Sequence, residues 1–533
     1  MKRISIKIVG QSGSGILSLG QILAAALVKS GKFIVAERDF PSLIKGGHSV
    51  YQIDYSDEKI YSLLKYSDYL LSLDKNSAAH YKDFLKKDAV VLSEQEAVDK
   101  IAENLKISPI SKNIIHLGIL CAHLNIDPQA VKDEIQNIFK NKKEVIEENI
   151  KGFDEGFAFA TAPVTNTTGG ENIKPVLRKQ NSISGTLLNG NEAIALGAIN
   201  AKLGAYFAYP MSPASTILTY LAKSEKKTGV IIKQAEDEIT AVQMALGSMF
   251  MGMRAMTATS GGGFDLMTET ISSAGMMEVP LVIVLAQRPG PATGLPTWTM
   301  QGDLNLAINA GHGEFSKIIL AASDPESCFS LIERAFYLSE KFETPVILLT
   351  EKTICERQFS VNMPANFEPE KVARDIPGSS EKLIRKNSDE HNPEGDSEES
   401  SEIVAEMYKK RMEKSSVILK EIPDPVIYGR ENADISFIGW GSTKNVVLDA
   451  IALLAEKGIT ANYLHYEYLW PLKTEKCTAF FENNKKVCLL EGNYNGQLGK
   501  IIEQETGKKF ADKLLKYNGR GFYPEELIDF ATK

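Results

Sequence analysis

Between about residues 181 and 360 the chain alternates short apolar runs with amphipathic ones, and this alternation restricts the possible folds more than any other feature. "GAYFAYP", "GVIIKQ", "RAMTATS", "PLVIVLAQ" and "PVILLT" read as strands. "SPASTILTYLAKSEKK", "EDEITAVQMALGSMFMG", "FDLMTETISSAGMME" and "PESCFSLIERAFYLSEKF" read as helices, with a long polar loop after "PLVIVLAQ". Strands so continuously apolar are buried on both faces. Helices set between them supply the crossovers that parallel pairing requires. The prediction is a multidomain α/β protein whose middle domain, residues 185–360, is a parallel sheet covered on both sides.

Two other blocks repeat the pattern. In residues 1–164, "ISIKIVG", the glycine turn "QSGSG", the helical "ILSLGQILAAALVKSG" and "KFIVAERDF" make a β-α-β start. The turn matches neither G-x-G-x-x-G nor the lysine-bearing P-loop, so as a nucleotide site it is incomplete. His48, beside the glycines of "IKGGHS", reads as a loop residue. In residues 425–533, "ADISFIGWG", "STKNVVLDAIALLAEKG", "TANYLHYEYLW" and "KVCLLEG", with a helix from about Gly496, give a smaller α/β domain. Residues 165–184, rich in Thr, Gly, Pro and Asn, read as a linker. Residues 361–424 read as a mobile charged linker, because "SDEHNPEGDSEESSE" carries seven acids, no Lys or Arg and no large apolar residue.

Bulk composition narrows the partners. The 533 residues carry a net charge of −8, which disfavours nucleic acid or anionic lipid as the main partner. The longest apolar run, "VPLVIVLA", falls far short of a membrane span, and the N-terminal stretch has no signal-peptide core; a cytoplasmic protein is expected. The five cysteines are scattered without a C-x-x-C pair, so neither a metal site nor an iron–sulfur cluster held by this chain alone is expected.

In an open parallel sheet, ligands bind beyond the carboxyl ends of the strands. Four segments fall there in the middle domain: Tyr209–Ser215 ("YPMSPAS"), Glu236–Glu238 ("EDE"), Thr259–Gly263 ("TSGGG") and Gln287–Thr297 ("QRPGPATGLPT"). A lone glycine cluster would be an ordinary turn; three glycines on an edge shared with the other segments point to backbone held close to another molecule.

Those motifs, with "EDEITAVQMALG", "QRPGPATGLPTWTMQGDL" and the later "LLEGNYNGQLGKIIEQETG", together resemble the α subunit of 2-oxoacid:ferredoxin oxidoreductases, notably the 2-oxoglutarate type. The N-terminal block, with "GQSGSG" and "KGGHS", is similar to the γ component, so the chain resembles a γ–α fusion. The resemblance implies a pyrimidine-side thiamine diphosphate domain and a transketolase-like C-terminal domain. It implies CoA-dependent oxidative decarboxylation of a 2-oxoacid, or the reverse carboxylation, with electrons exchanged with ferredoxin. It also implies a β subunit that contributes Mg2+, the diphosphate site and a [4Fe–4S] cluster, in an αβ or (αβ)2 assembly. The missing G-D-G motif and missing cysteine pairs fit half a site.

The resemblance also assigns roles. Thiamine reacts as a carbanion, and a buried carboxyl hydrogen-bonded to its aminopyrimidine favours the required tautomer. Glu238 matches the family's glutamate; Glu236 and Asp237 are the solvated acids expected in a first helical turn. Arg288, before a rigid Pro-Gly-Pro, is suited to capture of the substrate carboxylate. Ser212, where the family more often has threonine, is the hydroxyl for a substrate oxygen. Tyr209, Pro210, Thr259, Ser260, Gly261 and Gly262 line the cofactor, with Gly263 continuing the turn. His312 reads as a structural loop residue. Two other readings compete: a nicotinamide dehydrogenase, which would need an intact fingerprint besides Glu37, and a non-catalytic scaffold, which would be expected to have lost Glu238 and Arg288.

Overall fold

The computed structural model describes residues 3–39, 47–109, 111–162, 185–362, 368–379, 381 and 383–533. The expected linker at 165–184 and Ile44–Gly46 of the "IKGGHS" motif lie outside the described residues. The chain divides into two compact units, 1–188 with 357–363, and 189–356 with 364–533.

The first unit is a seven-stranded sheet with helices. Strand Arg3–Gln11 is followed by helix Ile16–Lys29 and strand Phe33–Asp39, as the β-α-β pattern predicts. The two strands are not neighbours, however: His48–Ser56 lies between them, antiparallel to both. Ser67–Ser72 and Leu85–Leu92 add parallel strands on the far side of the first strand. Nor does the sheet stop at residue 164. Gln358–Val361 pairs with Phe33–Asp39 and with Thr186–Leu188, so segments flanking the middle domain complete this unit's edge. Pairing partners so far apart in sequence leave no local pattern to read, and the boundaries 1–164 and 185–360 shift accordingly.

The second unit contains the predicted parallel sheet. Its spatial order is Tyr468–Trp470, Ile318–Ala321, Pro345–Glu351, Leu281–Gln287, Ala255–Thr259, Ala205–Ala208 and Ile231–Gln234. All pairs are parallel except the first. Every residue of Leu281–Gln287 and Pro345–Glu351 is buried, and each large aliphatic side chain so buried stabilises by about 2 kcal/mol. Two strands differ from the sequence reading. Ile318–Ala321 is four residues long and sits in what read as polar loop. "TANYLHYEYLW" is not one strand: Ala461–Tyr466 belongs to the C-terminal sheet, and Tyr468–Trp470 crosses to the edge of the middle sheet.

The C-terminal sheet is ordered Val426–Gly429, Ala461–Tyr466, Ile435–Trp440, Val487–Glu491 and Asp512–Leu515. It meets the middle domain through a buried ion pair, Lys444 Nζ to Asp324 Oδ2 at 2.7 Å. Asp324 also caps helix Pro325–Phe342, accepting from the Ser327 amide at 2.7 Å.

The expected mobile linker is a correction. Helix Ser401–Glu421 follows the acidic stretch, and long-range ion pairs tie the helix and the segment before it to the rest of the unit. Arg411 donates to Glu390 (2.9 Å), Lys410 binds Glu278 (2.7 Å) and Lys386 binds Glu343 (3.0 Å). Met407, Arg411 and Ile418 are buried beneath the helix. An acid-only window invited the disordered reading because the bases that pair with its acids, Arg385 and Arg411, lie before and after it.

Glu278 is the pivot of this strap. Burial alone would raise its pKa, but the ammonium groups of Lys414 and Lys410 outweigh burial and hold the carboxyl down to about 2. A depressed folded-state pKa stabilises above the ordinary carboxyl range and is lost as pH falls through the folded value; acidification from about pH 4.5 to 2 therefore loosens the strap. Glu278→Gln leaves the largely buried Lys414 and the exposed Lys410 without their shared counter-charge. It is expected to lower stability by about 2 kcal/mol in urea unfolding and to speed proteolytic cleavage within 388–402.

Candidate functional site

The strands ending at Gln287, Thr259, Ala208 and Gln234 are consecutive neighbours and run parallel, so their following loops share one edge. Ala205–Ala208 leads to Ile231–Gln234 on one side, and the chain then returns to Ala255–Thr259 on the other. This is a topological switch point, where crossovers diverge and leave a crevice at the carboxyl ends. Tyr209 and Pro210 leave one of the strands flanking it; Ser260 and the glycines leave the other.

The three acids at 236–238 separate by burial. Glu236 is exposed. Asp237 caps helix Glu238–Phe250, its side chain accepting from the Thr240 amide at 2.7 Å. Glu238, the first helical residue, is 4% exposed, and its buried Oε1 has no hydrogen-bond partner. A buried carboxyl oxygen left unmatched costs about 1–3 kcal/mol.

The glycine turn explains how the carboxyl fits. None of Gly261, Gly262 and Gly263 adopts a left-handed backbone, so their role lies in proximity. A Cβ at Gly263 would collide with Thr259 Oγ1 and Glu238 Oε1; one at Gly261 would come within 2.9 Å of Asp303 Oδ2. Only Gly262 faces open space, with nothing within 4 Å. Two of the three glycines are thus required by the protein's own carboxyls, and one leaves room for something else. Beside them, Thr259 and Ser260 are fully buried. Thr259 Oγ1 lies 3.8 Å from Met211 Sδ, and Ser260 Oγ has no partner.

Arg288 is half-buried and donates Nη1 to the Ser212 carbonyl at 2.8 Å. Ser212 is exposed, and its link to Arg288 runs through its backbone rather than its hydroxyl. Tyr209 is 39% exposed. The structure therefore brings Glu238, Thr259, Ser260, Arg288 and Ser212 to one edge, with Tyr209 and Pro210 at its rim.

Asp303 joins them without having been singled out from sequence. Its amide donates to Gln287 Oε1 at 2.9 Å, and its buried Oδ2 has no hydrogen-bond partner. Burial, then the Asp265 carboxylate, push its pKa up to about 6 against the opposing charge of Arg288. The quoted "QGDL" contained the residue, but only the fold shows that it returns to the glycine turn. The same loop is pinned by the C-terminal domain. Gln301 donates to the Trp440 carbonyl (2.9 Å) and accepts from the Gly492 amide (2.7 Å), and Glu351 accepts from Thr299 (2.8 Å) and Gln301 (3.1 Å).

Elsewhere, His312 serves its loop, its amide bonding Ser272 Oγ at 2.8 Å. In the first unit Glu37 accepts from Arg357 Nε at 2.9 Å, which occupies the acid a dinucleotide-binding strand would offer. Among the described residues no group of three His, Cys, Asp or Glu comes together to hold a metal, and no helix is long and apolar enough to cross a membrane.

Comparison with known proteins gives matches along the whole chain. A family model described as pyruvate ferredoxin/flavodoxin oxidoreductase matches residues 5–159. A second, the thiamine diphosphate-binding part of pyruvate flavodoxin/ferredoxin oxidoreductase, matches 196–420. The 2-oxoacid:ferredoxin oxidoreductase subunit alpha of Sulfolobus sp is 30% identical, covering all of this chain and 97% of the relative. The 2-oxoglutarate synthase subunit KorA of Methanothermobacter thermautotrophicus is 28% identical over 65% of this chain and 98% of its own length. The 2-oxoglutarate:ferredoxin oxidoreductase of Magnetococcus marinus, solved with 2-oxoglutarate, coenzyme A and succinyl-CoA bound, superposes with a TM-score of 0.93 at 30% identity. That match covers 100% of this chain and 99% of the other.

The glycines make a prediction that needs no ligand. Gly263→Ala is expected to destabilise the chain by about 1–3 kcal/mol through overpacking. Gly262→Ala, in a helical and open position, is expected to stabilise by about 0.5–1 kcal/mol. Chemical denaturation of the two variants checks the opposite signs.

Proposed function

The chain belongs to the 2-oxoacid:ferredoxin oxidoreductase family, as an α-type subunit with a γ-type unit at its N-terminal side, and from that premise we propose its reaction and the residues that carry it. A 2-oxoacid, 2-oxoglutarate foremost, and coenzyme A give acyl-CoA, CO2 and a proton while two ferredoxins are each reduced by one electron; the carboxylation is the reverse. The observation that carries the reading is the buried Glu238 carboxyl, whose Oε1 finds no partner among the described residues and lies against Gly263, the neighbour of the open Gly262.

That orphaned oxygen and that open face fit a flat heterocycle with a hydrogen-bonding nitrogen. Glu238 would hold the aminopyrimidine of thiamine diphosphate, with Thr259, Ser260, Gly261, Gly262, Tyr209 and Pro210 around it. When bound, thiamine diphosphate supplies the carbanion that attacks the 2-oxo carbon and accepts the electron pair left as CO2 departs. The buried, unpartnered Oε1 of Glu238 would take the hydrogen bond to the ring nitrogen. Arg288 presents Nε and Nη2 to the substrate carboxylate while Nη1 stays fixed by the Ser212 carbonyl. The Ser212 hydroxyl, exposed at the same edge, donates to a substrate oxygen.

The site is open on one side, and its rim is apolar. Tyr209, Ile239, Leu266 and Leu295, all in segments adjoining the site, are 39–50% exposed. Such a rim suits a partner chain, here a β-type subunit that brings Mg2+, the diphosphate site and a [4Fe–4S] cluster, in an αβ or (αβ)2 assembly.

Anaerobic purification of the native complex is expected to yield a second, cysteine-rich chain; this chain oxidising 2-oxoacids alone would refute the shared site. Glu238→Gln is expected to lower CoA-dependent 2-oxoacid oxidation by about 10²–10⁴-fold, as for loss of a proton-transferring group, with the complex still assembled by gel filtration. Gly262→Ala should likewise lower turnover although it stabilises the isolated chain.

A further inference from the structure

We propose that Asp303 is a positioning residue that governs, through its own proton, how strongly Arg288 holds the carboxylate of an incoming 2-oxoacid. The inference rests on the reading of Arg288 as the carboxylate's partner and adds to it a regulator on the same loop system.

Three observations place Asp303 in this role. Its backbone amide is bound by the side chain of Gln287, the residue immediately before Arg288, and Gln287 Nε2 is anchored in turn to the Thr350 carbonyl at 3.2 Å. The Asp303 backbone is therefore tied by one buried side chain to the residue next to Arg288. Next, Oδ2 of Asp303 is buried against Gly261, where any side chain would crowd it, and makes no hydrogen bond. Last, Arg288 spends a single hydrogen bond on a neutral carbonyl, and Asp303 is the carboxylate that acts on its charge.

The charges facing Asp303 are Arg288 from the strand end and Asp265 from the short helix Gly261–Asp265. Glu238 lies under Gly263, on the turn whose Gly261 faces Asp303. Burial and Asp265 favour the protonated form, Arg288 the ionised one, and the balance near pH 6 leaves both forms populated close to neutrality. With Asp303 protonated, the guanidinium charge is free for a substrate carboxylate. With Asp303 ionised, that charge is already balanced, and a second carboxylate meets repulsion. Binding of an anionic 2-oxoacid must then raise the affinity of Asp303 for a proton, so proton uptake accompanies binding. Affinity is greatest below the free-state value and falls by up to tenfold per pH unit above it, until the bound-state value is reached.

The test uses the complex with its β-type chain. For the wild type, kcat/KM for 2-oxoglutarate is expected to decline from about pH 6 upward with kcat nearly flat. Calorimetric titration with 2-hydroxyglutarate, a non-reacting probe, in buffers of different ionisation enthalpy should show uptake of up to one proton per site at pH 7. Asp303→Asn should remove both the slope and the uptake while KM at pH 8 falls to or below the wild-type value; a merely structural residue would not flatten a pH profile. Absence of proton uptake by the wild type, or an unchanged slope in Asp303→Asn, would overturn the inference. A complex that oxidises 2-oxoacids with that unchanged slope defeats this inference alone, whereas one that oxidises none defeats the functional reading on which it rests.

Discussion

Much of the second unit is organised around keeping one carboxyl out of water without giving it a partner. Glu238 could satisfy itself by turning outward, as Glu236 does, but the cap made by Asp237 fixes the start of the helix and so the direction of the next side chain. Gly263 then removes a methyl that would push the carboxyl away. The unmatched oxygen costs the folded chain on the order of 1–3 kcal/mol, against an ordinary domain stability of about 5–15 kcal/mol. The seven-stranded sheet with its fully buried central strands can bear that cost. That expense at a switch point is the physical ground for the proposal that the oxygen meets a ligand.

The C-terminal domain contributes to this edge at a distance. At its own switch point, between the ends of Ile435–Trp440 and Val487–Glu491, the space where a ligand would be expected is filled by Gln301 of the middle domain. The amide of that glutamine meets Trp440, Gly492 and Glu351 at once, and Glu491 is engaged by the Trp440 indole at 2.8 Å. A ligand crevice has become a socket for a loop. Two residues later the same loop delivers Asp303 to the glycine turn, so the second domain acts on the site by holding the loop's conformation.

Legibility in the sequence followed the range of the interactions. The central parallel strands were plain because continuous apolar runs are local, and the site edge followed from them by topology alone. Glu238, Arg288 and the glycines were reached through motif resemblance, whereas the burial of Glu238 and the capping role of Asp237 are visible only in the fold. What escaped was long-range. Ile318–Ala321 is too short to announce itself, Gln358–Val361 and Thr186–Leu188 pair with a distant unit edge, and the acid-rich stretch is held by bases that lie outside it. Asp303 escaped for the same reason: nothing in "MQGDL" says that its carboxyl returns to Gly261.

The three glycines that drew attention to the site carry three different demands. Gly263 exists for Glu238, Gly261 for Asp303, and Gly262 for whatever fills the open face. A single run of one residue type therefore makes room for two different buried carboxyls, Glu238 at Gly263 and Asp303 at Gly261. The turn can hold both because its backbone is helical rather than left-handed. Successive residues of that helical turn point in different directions, so each missing side chain opens a different approach. The glycine run is best understood as three separate clearances, and the chemistry of the site depends on their not being interchangeable.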